Sequence, residues 1–487
     1  MLRAWTSALL SVSKNGTRLV ASASRIQRVS ARGMASATSS SLEEIGELHV
    51  TKGLGRLVTG MMVDGDGSYV TMDDGRHYLD FTCGIGVTGL GHCHPKVSKA
   101  AADQCLSIVH SQCSIAFHKP YLELIQRLLP IMPHKSLDSF FFWNSGSEAV
   151  EAALKMARII TGKQNIISMQ GAYHGRTFGA MAVTKSKTIY SEGVHPLMPG
   201  VFTTPFPYWH HANVGPETPT KKLTEDALYQ LDLLLSQQTA PENTAAIIVE
   251  PVIGEGGYVP APVEFLQGLR AICDKHDILL IVDEVQSGFG RTSGRGKKDG
   301  FFAIQESGVR PDILVIAKGL ANGFPLSGVV SRKELTDKLK PGSMGGTYAG
   351  NAVSCAAAVA VVDAMQEENV LENVKARSKQ LFDFLSGLRA TPAYAPFILD
   401  VRGRGLMVAM EFASSTASAH DIARKREVPA KLASKIATRC IERGMLLLTT
   451  SVYETIRFIP PLNISEEDMN KGCEIFEQAL KDVVTAY

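Results

Sequence analysis

The feature that most constrains the fold is an alternation of short apolar runs with helical patterns between about residues 140 and 335. The runs read SFFFW, NIISM, AAIIVEP, LLIVDEV and DILVIA, and the first is followed by an amphipathic pattern from Glu148 to about Ile160. Strands that alternate with helices form a mostly parallel sheet with helices on both faces. The sequence therefore predicts an α/β fold with one large domain, assigned to residues 101–359.

Both ends of the chain predict a second, smaller α+β domain. Residues 43–100 carry hairpin signals, as in DGDGSYVTMDDGRHYLDF, and residues 360–487 carry amphipathic helical patterns. We interpret these two segments as the N-terminal and C-terminal parts of one small domain. No apolar stretch reaches the roughly 18 residues that a membrane-spanning helix requires.

Residues 1–40 have the composition of a mitochondrial transit peptide. Basic residues are interleaved with Ser and Ala, and no acidic residue precedes Glu43. The sequence predicts a protein of the mitochondrial matrix, with Met34 as a second start that would give a cytosolic form. A disordered basic tail is the alternative. Residues 1–36 contain six basic residues and no acidic ones. Without them the chain has 44 basic and 48 acidic residues, and its formal net charge changes from +2 to −4. No basic patch for nucleic acid stands out.

Polar residues follow three of the apolar runs. AAIIVEP ends in Glu250, LLIVDEVQ ends in Asp283 and Gln286, and DILVIAK ends in Lys318. Because ligands bind at the carboxyl ends of strands in open α/β sheets, we expect these side chains to converge on a site. The alternative for the lysine is an ordinary solvated surface residue.

A Gly- and Ser-rich segment, NSGS, lies between the first strand and its helix. A helix N-terminus with small residues exposes unpaired N–H groups and binds anions, although simple capping by Ser147 is the alternative. A phosphate site, a strand-end carboxylate and a strand-end lysine together meet the needs of pyridoxal phosphate. Tyr173 and His174, in GAYHGRTFGA, are candidates to stack on its ring.

Two other motifs suggest different chemistry. Gly84, Gly86 and Gly89 form a G-x-G-x-x-G pattern typical of dinucleotide binding, but Gly91 and Pro95 stand where the required helix should run. We therefore do not favour a nucleotide site.

The segment GHCHP offers His92, Cys93 and His94 as metal ligands. Alternate residues of an extended segment point to opposite faces, and no second cluster completes a tetrahedral set, so no metal is expected. The eight cysteines contain no C-x-x-C pair, which favours reduced thiols.

Several long motifs, in order, carry a family resemblance. NSGSEAVEAALKMAR, AYHGRT, VEPVIGEGGY, IVDEVQSGFGRT, AKGLANGFPLSGVV and GGTYAGNAVSCAAA resemble the class III, or omega, aminotransferases among the fold type I pyridoxal phosphate enzymes, from about residue 46 to the end. Within that family, GGTYAGN and GMLLLTTSVYETIRFIPPL are most similar to the bacterial type that acts on 4-aminobutyrate. One departure is GRTSGRGKKDGFFAIQ, longer and more basic than expected between Arg291 and Phe301, which we interpret as a surface-loop insertion.

The resemblance implies roles for the cofactor-binding residues. Lys318 would carry pyridoxal phosphate covalently and act as the acid-base catalyst, and Asp283 would pair with the pyridine nitrogen. The remaining contacts would come from Gln286 to the phenolic oxygen, Tyr173 and His174 at the ring, and Gly146 and Ser147 at the phosphate. Thr347 resembles a residue that reaches the phosphate from the neighbouring subunit, which implies a homodimer, with a tetramer left open.

The resemblance also implies how substrates bind. Arg176 would hold the distal carboxylate, Arg457 the α-carboxylate of glutamate or 2-oxoglutarate, and Glu255 would mask Arg457 when an ω-amino acid is bound. Glu250 and Ile85 would complete the substrate pocket. The expected reaction converts 4-aminobutyrate and 2-oxoglutarate into succinate semialdehyde and glutamate. Rival interpretations are an ornithine, acetylornithine, β-alanine or polyamine aminotransferase, and an aminomutase.

Overall fold

The computed structural model of the chain describes residues 41–294, 300–418, 421 and 423–487. The described chain divides into two units, residues 41–59 and Gly60–Tyr487. In the first, helix α1 (Leu42–His49) begins at Ser41, whose hydroxyl accepts a hydrogen bond from the Glu44 N–H while the Glu44 carboxylate accepts one from the Ser41 N–H. The predicted transit peptide and Met34 lie outside the described residues, and the matrix location stays a prediction.

The second unit contains the remaining strands and helices. Its strands are β1 (Met62–Asp66), β2 (Tyr69–Met72), β3 (His77–Asp80), β4 (Ser139–Trp143), β5 (Asn165–Met169), β6 (Val201–Thr204), β7 (Thr244–Val249), β8 (Val252–Ile253), β9 (Val259–Pro260), β10 (Leu279–Asp283), β11 (Ile313–Ile316), β12 (Ser327–Ser331), β13 (Ile398–Arg404), β14 (Met407–Phe412), β15 (Met445–Leu446), β16 (Leu448–Thr450) and β17 (Thr455–Phe458). Its helices are α2 (Cys83–Gly86, a single distorted turn), α3 (Pro95–Cys105), α4 (Lys119–Leu128), α5 (Gly146–Thr161), α6 (Phe178–Val183), α7 (Thr220–Gln237), α8 (Val263–His276), α9 (Lys333–Thr336), α10 (Ala352–Glu367), α11 (Val370–Ala390), α12 (Leu432–Glu442) and α13 (Glu466–Thr485).

The central sheet contains every apolar run that the sequence singled out. Its strand order is β4-β12-β11-β10-β7-β5-β6. Strands β11, β10, β7, β5 and β6 are parallel to one another, whereas β12 is antiparallel to both β11 and β4. The predicted α/β fold with a mostly parallel sheet is confirmed.

Each face of this sheet has its own hydrophobic core. Side chains alternate along a strand, so Leu280 and Leu314 pack into one core while Ile281 and Val315 pack into the other. Helix α5 covers the second face with a buried stripe that includes Ala149, Val150, Ala153, Leu154 and Ala157. Because both faces are buried, these strands are almost continuously apolar and their polar residues collect at the strand ends.

Two smaller sheets join distant parts of the chain. One has the order β1-β2-β3-β15, in which β3 pairs in parallel with β15, and the other has the order β13-β14-β17-β16. Segments near both ends of the second unit therefore build one sheet, while the domain boundaries given above stay predictions. In the part of the chain that the structure describes, no helix is both long and apolar enough to span a membrane.

Candidate active site

A cavity of about 300 Å³ lies at the carboxyl edge of the central sheet. Residues that follow four of its strands line the cavity, namely Ser145, Gly146, Ser147, Glu250, Asp283, Gln286 and Lys318, together with Tyr173, His174 and Glu255. The fold thus brings together the strand-end carboxylates, the lysine and the Gly- and Ser-rich segment that the sequence singled out. The catalytic and binding roles assigned to them remain predictions.

Lys318 is half-buried and follows β11 directly. Its φ is 46°, and its ammonium group makes no hydrogen bond or ion pair within the described residues. Loss of hydration lowers the pKa of Lys318 to about 8; Glu255 opposes this shift and Arg457 adds to it. A lysine with such a pKa is neutral in a substantial fraction of molecules near neutral pH, so it can act as a nucleophile or a base.

Asp283 ends β10 and is buried. Its Oδ2 accepts a hydrogen bond from Nδ1 of His174 at 2.7 Å, and its Oδ1 accepts one from the Val285 N–H at 2.9 Å. The other ring nitrogen of His174, Nε2, is buried and has no partner among the described residues. The carboxylate is therefore held in one orientation at the cavity wall, with a histidine behind it.

Glu250 holds backbone on two sides of the cavity. One carboxylate oxygen accepts from the Tyr173 N–H and the other from the Gly254 N–H, each at 2.9 Å. Burial raises the pKa of Glu250, His174 opposes the shift and Asp283 adds to it. Because both oxygens already have backbone donors, the geometry gives Glu250 a supporting position, and its predicted contact with substrate stays a prediction.

The start of α5 forms an anion site. Ser145, rather than Ser147, caps the helix, because its hydroxyl accepts from the Glu148 N–H while the Glu148 carboxylate accepts from the Ser145 N–H. The N–H groups of Gly146 and Ser147 have no acceptor among the described residues, which leaves them free for an anion. A Cβ at Gly146 would lie 3.1 Å from Cγ1 of Val285, so a side chain there would crowd the cavity wall.

Three further predicted residues lie in different surroundings. Oε1 of Gln286 is buried at the cavity without a partner among the described residues, so it is available to a ligand. Thr347 is exposed and does not line this cavity, as expected for a residue that serves a neighbouring subunit, although that contact stays a prediction. Ile85 is 41% exposed in the distorted turn α2, beside Val87, which does line the cavity.

The two predicted substrate arginines have different environments. Arg457, in β17, is buried, and its Nη1 forms an ion pair with Glu255. That guanidinium lowers the pKa of Glu255, although burial alone would raise it. Arg176 is exposed; its Nε donates to the Tyr173 hydroxyl at 3.3 Å, and its guanidinium lies 4.5 Å from the ring centre of Tyr190.

Sequence reasoning missed Tyr190 and the backbone supports of the Glu255 loop. Tyr190 ends a single 3₁₀ turn, Thr188–Tyr190, in the loop between α6 and β6, outside the quoted motifs, and no periodic pattern points to it. Thr450 donates to the carbonyl of Glu255 at 3.3 Å, and Arg402 donates to the carbonyl of Gly257 at 2.9 Å. Such contacts join residues about 150 to 200 positions apart, which spacing along the chain cannot reveal.

The basic insertion is only partly described. Arg291, at its start, is buried and donates to the carbonyls of Leu406 and Pro460 at 3.2 and 2.5 Å. Residues 295–299, which carry its basic character, lie outside the described residues, so the surface-loop interpretation stays a prediction.

These groups fit pyridoxal phosphate. A buried carboxylate matches the pyridine nitrogen of that cofactor, and a buried amide oxygen without a partner matches its phenolic oxygen. Free N–H groups at a helix start match its phosphate, and a lysine without a partner matches its aldehyde. The fold and site are those of a pyridoxal-phosphate-dependent transaminase of fold type I.

The comparison with known proteins agrees. The sequence profile described as "Aminotransferase class-III" matches residues 55–480. The chain belongs to this family, and its cofactor is pyridoxal phosphate.

Relatives and solved structures in this family are similar over most of their length. The chain is 36% identical to the 5-aminovalerate aminotransferase of Pseudomonas putida, over 92% of this chain and 100% of that protein. It is 38% identical to the 4-aminobutyrate aminotransferase of Escherichia coli, over 84% and 90%. The structure of taurine:2-oxoglutarate aminotransferase from Bifidobacterium kashiwanohense, 26% identical, superposes with a TM-score of 0.82 over 93% of this chain and 99% of that one.

Proposed function

We propose that the protein transfers the amino group of 4-aminobutyrate, or a similar short ω-amino acid, to 2-oxoglutarate, giving succinate semialdehyde and glutamate. The observation that carries this proposal is the buried ion pair between Arg457 and Glu255, a residue that lines the cavity, with Arg176 bonded to Tyr173, another lining residue. The relatives at 36–38% identity include enzymes named for 4-aminobutyrate and 5-aminovalerate, which supports an ω-amino acid donor.

The ion pair suits an enzyme with two unlike substrates. An ω-amino acid brings an amine with no carboxylate beside it, whereas glutamate brings an α-carboxylate to the same place. Arg457 offers a bidentate site for the α-carboxylate, and Glu255 neutralises that charge when the carboxylate is absent. Arg176, held by Tyr173 and Tyr190, is placed to bind the distal carboxylate of either substrate.

The chain's own groups would hold the cofactor and move the proton. Bound pyridoxal phosphate supplies an electron sink for the substrate carbon that loses a proton. Asp283, Gln286 and the N–H groups of Gly146 and Ser147 would hold its ring and phosphate. Lys318, whose pKa is lowered to about 8, would accept the proton from the substrate carbon and pass it to the carbon of the cofactor that bears the amino nitrogen.

We also propose that the enzyme is a homodimer in which each active site uses Thr347 of the other subunit. Tyr348, next to Thr347, is 66% exposed and its ring centre lies 5.4 Å from that of His110; the chain around His110 also carries Leu106, Ile115 and Phe117, which are 89%, 83% and 74% exposed. Apolar side chains with this exposure are costly in water, and a second copy of the chain would cover them. For residues 1–40 we keep the proposal of import into the mitochondrial matrix, which fractionation of cells that express a tagged full chain tests.

An acetylornithine or ornithine aminotransferase is the second candidate. It is supported by the 36% identity to the acetylornithine aminotransferase of Clostridium acetobutylicum over 86% of this chain. Both candidates need Lys318, Asp283 and a carboxylate site, so only the identity of the donor distinguishes them.

The test is the absorption spectrum of the purified holoenzyme. The band of the lysine-bound cofactor should disappear when 4-aminobutyrate is added and return with 2-oxoglutarate, while Lys318→Ala should lack both changes. Parallel additions of 5-aminovalerate, N-acetylornithine and ornithine rank the donors. If only N-acetylornithine or ornithine removes the band, the proposed donor is wrong and the family assignment stands. If an amine is converted into its positional isomer and the band returns without an external keto acid, the aminomutase interpretation is correct.

A further inference from the structure

The turn that follows β3 is held in an unusual conformation. Cys83, Gly84, Ile85 and Gly86 have φ angles of 47°, 60°, 66° and 76°. The left-handed region is disfavoured for residues with a Cβ and most of all for a β-branched residue such as isoleucine. Cys83 and Ile85 bear this cost, whereas the two glycines do not, and the turn persists only when contacts from outside it hold these residues.

Asp80 supplies those contacts. Its Oδ1 accepts hydrogen bonds from the N–H and hydroxyl of Thr82 at 2.8 and 2.6 Å and from the Cys83 N–H at 3.1 Å. Its Oδ2 accepts from Nε2 of His92 at 2.8 Å. Burial alone would raise the pKa of Asp80, but the bonds from His92 and Thr82 lower it, so the group is a carboxylate. One buried anion therefore fixes the start of the turn and joins it to His92, twelve residues after Asp80.

The turn lies between two parts of the active site and contacts both. A Cβ added at Gly86 would lie 2.6 Å from Cδ1 of Ile459 and 3.8 Å from Cγ of Gln286. Ile459 is two residues beyond Arg457, and its N–H donates to the carbonyl of Phe81 at 3.2 Å. Val87, directly after the turn, lines the cavity. A shift of the turn would therefore move the cavity wall between the cofactor side and the carboxylate side.

The same contacts explain two motifs that the proposed function does not use. The G-x-G-x-x-G pattern places glycines at the left-handed turn and at its close contact with Ile459, rather than at the start of a long helix. In GHCHP, His92 pairs with Asp80 while Nε2 of His94 lies 3.0 Å from Glu368. Within the described ranges, no group of three or more potential metal ligands is present.

We propose that Asp80 is a positioning residue that sets which amino donors fit. It touches neither the cofactor nor the substrate cavity, but it holds the turn that presents Ile85 and Val87 to the donor. His92 orients the Asp80 carboxylate from the other side. The inference rests on the proposed function only in taking the donor to be an ω-amino acid. The coupling of Asp80 to the cavity wall applies to any amine that the enzyme accepts.

The experiment compares Asp80→Asn and His92→Gln with wild-type holoenzyme in single-turnover reactions. The rate at which the cofactor band disappears is measured for 4-aminobutyrate, 5-aminovalerate and a bulkier ω-amino acid, all as a function of donor concentration. Asp312→Asn is the matched control, because Asp312 is also buried, accepts the Leu280 N–H at 2.9 Å and pairs with Arg270 and Arg332, but precedes β11 at the edge opposite the cavity.

We expect Asp80→Asn to change the ratio of the apparent second-order rate constants between the short and the bulky donor by about tenfold, through donor affinity, with the lysine-bound cofactor band retained. His92→Gln should change the ratio in the same direction by a smaller factor, and Asp312→Asn should leave it within about twofold. The proposal is wrong if Asp80→Asn and Asp312→Asn both lower the melting temperature while neither changes the ratio. A failure of wild type to react with 4-aminobutyrate would instead count against the proposed function, and the ratio would then be measured with the donors that do react.

Discussion

Nδ1 of His174 lies 2.7 Å from Oδ2 of Asp283, at the point where β10 meets the cavity. The pair joins two segments more than a hundred residues apart and leaves Nε2 of the histidine buried without a partner in the part of the chain that the structure describes. The histidine orients the carboxylate by donating a hydrogen bond to it. A carboxylate held in this way can stabilise a protonated ring nitrogen through the whole reaction.

Replacing that carboxylate should reduce the rate of the chemical step. We expect Asp283→Asn to lower kcat by about a hundredfold or more, because the amide cannot stabilise positive charge on the pyridine ring. Glu284→Gln is the matched control: Glu284 is the next residue, it is buried, and its pKa is raised by burial to about 7, but it does not line the cavity. It accepts instead from Ser287 and from the Ile304 N–H. Steady-state kinetics with saturating cofactor measure both variants, and equal losses in the two would contradict the assignment.

The lowered pKa of Lys318 predicts how the stability of the apoenzyme depends on pH. The pKa is about 8 in the folded state and 10.5 as its ordinary value, so between these values the unfolded chain binds more protons and stability rises with pH. Below pH 8 the folded state carries a penalty of up to roughly 3 kcal/mol. Lys318→Met should therefore stabilise the apoenzyme at pH 7 and lose this advantage above pH 10.5. Denaturant unfolding at both pH values tests this, and a difference independent of pH would show that the ammonium group is well hydrated.

Much of the site could be predicted because its residues follow apolar runs. Asp283 ends its strand, Gln286 and Lys318 follow theirs within three residues, and the order of those strands in a parallel sheet places their ends together. The alternative prediction that Ser147 caps α5 is wrong. Ser145 occupies the capping position, because Glu148 lies three residues after it and completes a capping box.

Other features depend on contacts that no local pattern encodes. Asp80 and His92 meet through a turn whose four positive φ angles cannot be inferred from glycine spacing, since two of its residues are not glycine. Tyr190 reaches Arg176 from a loop with no periodicity. Glycine-rich and histidine-rich motifs can therefore resemble nucleotide-binding or metal-binding sites in the sequence even when their residues contact only other parts of the same protein.

The pair of Glu255 and Arg457 predicts opposite effects on the two half-reactions. In Glu255→Gln, Arg457 loses its neutralising partner, so an ω-amino acid meets an unpaired buried cation and its KM should rise about tenfold. Glutamate and 2-oxoglutarate bring their own carboxylate to Arg457, so their KM should stay the same or fall. Separate measurement of the two half-reactions tests this. A rise of similar size for both substrates would indicate that Glu255 is needed only to hold its loop. Thr450→Val is the control for that effect, because it removes the side-chain donor to the Glu255 carbonyl and so loosens the loop.

Tyr190 should contribute to binding of the distal carboxylate through Arg176. The guanidinium lies 4.5 Å from the ring centre, and Tyr190 also packs edge-on against Tyr173 at 5.2 Å between ring centres. With 4-aminobutyrate as the donor, Tyr190→Ala should raise KM roughly fivefold, because a cation–π contact at a partly exposed site is worth about 1 kcal/mol. Tyr190→Phe keeps the ring and should stay near wild type. An amine without a distal carboxylate supplies the internal control, because its KM should be the same in all three proteins; if it rises equally in Tyr190→Ala, the ring shapes the cavity and does not act through Arg176.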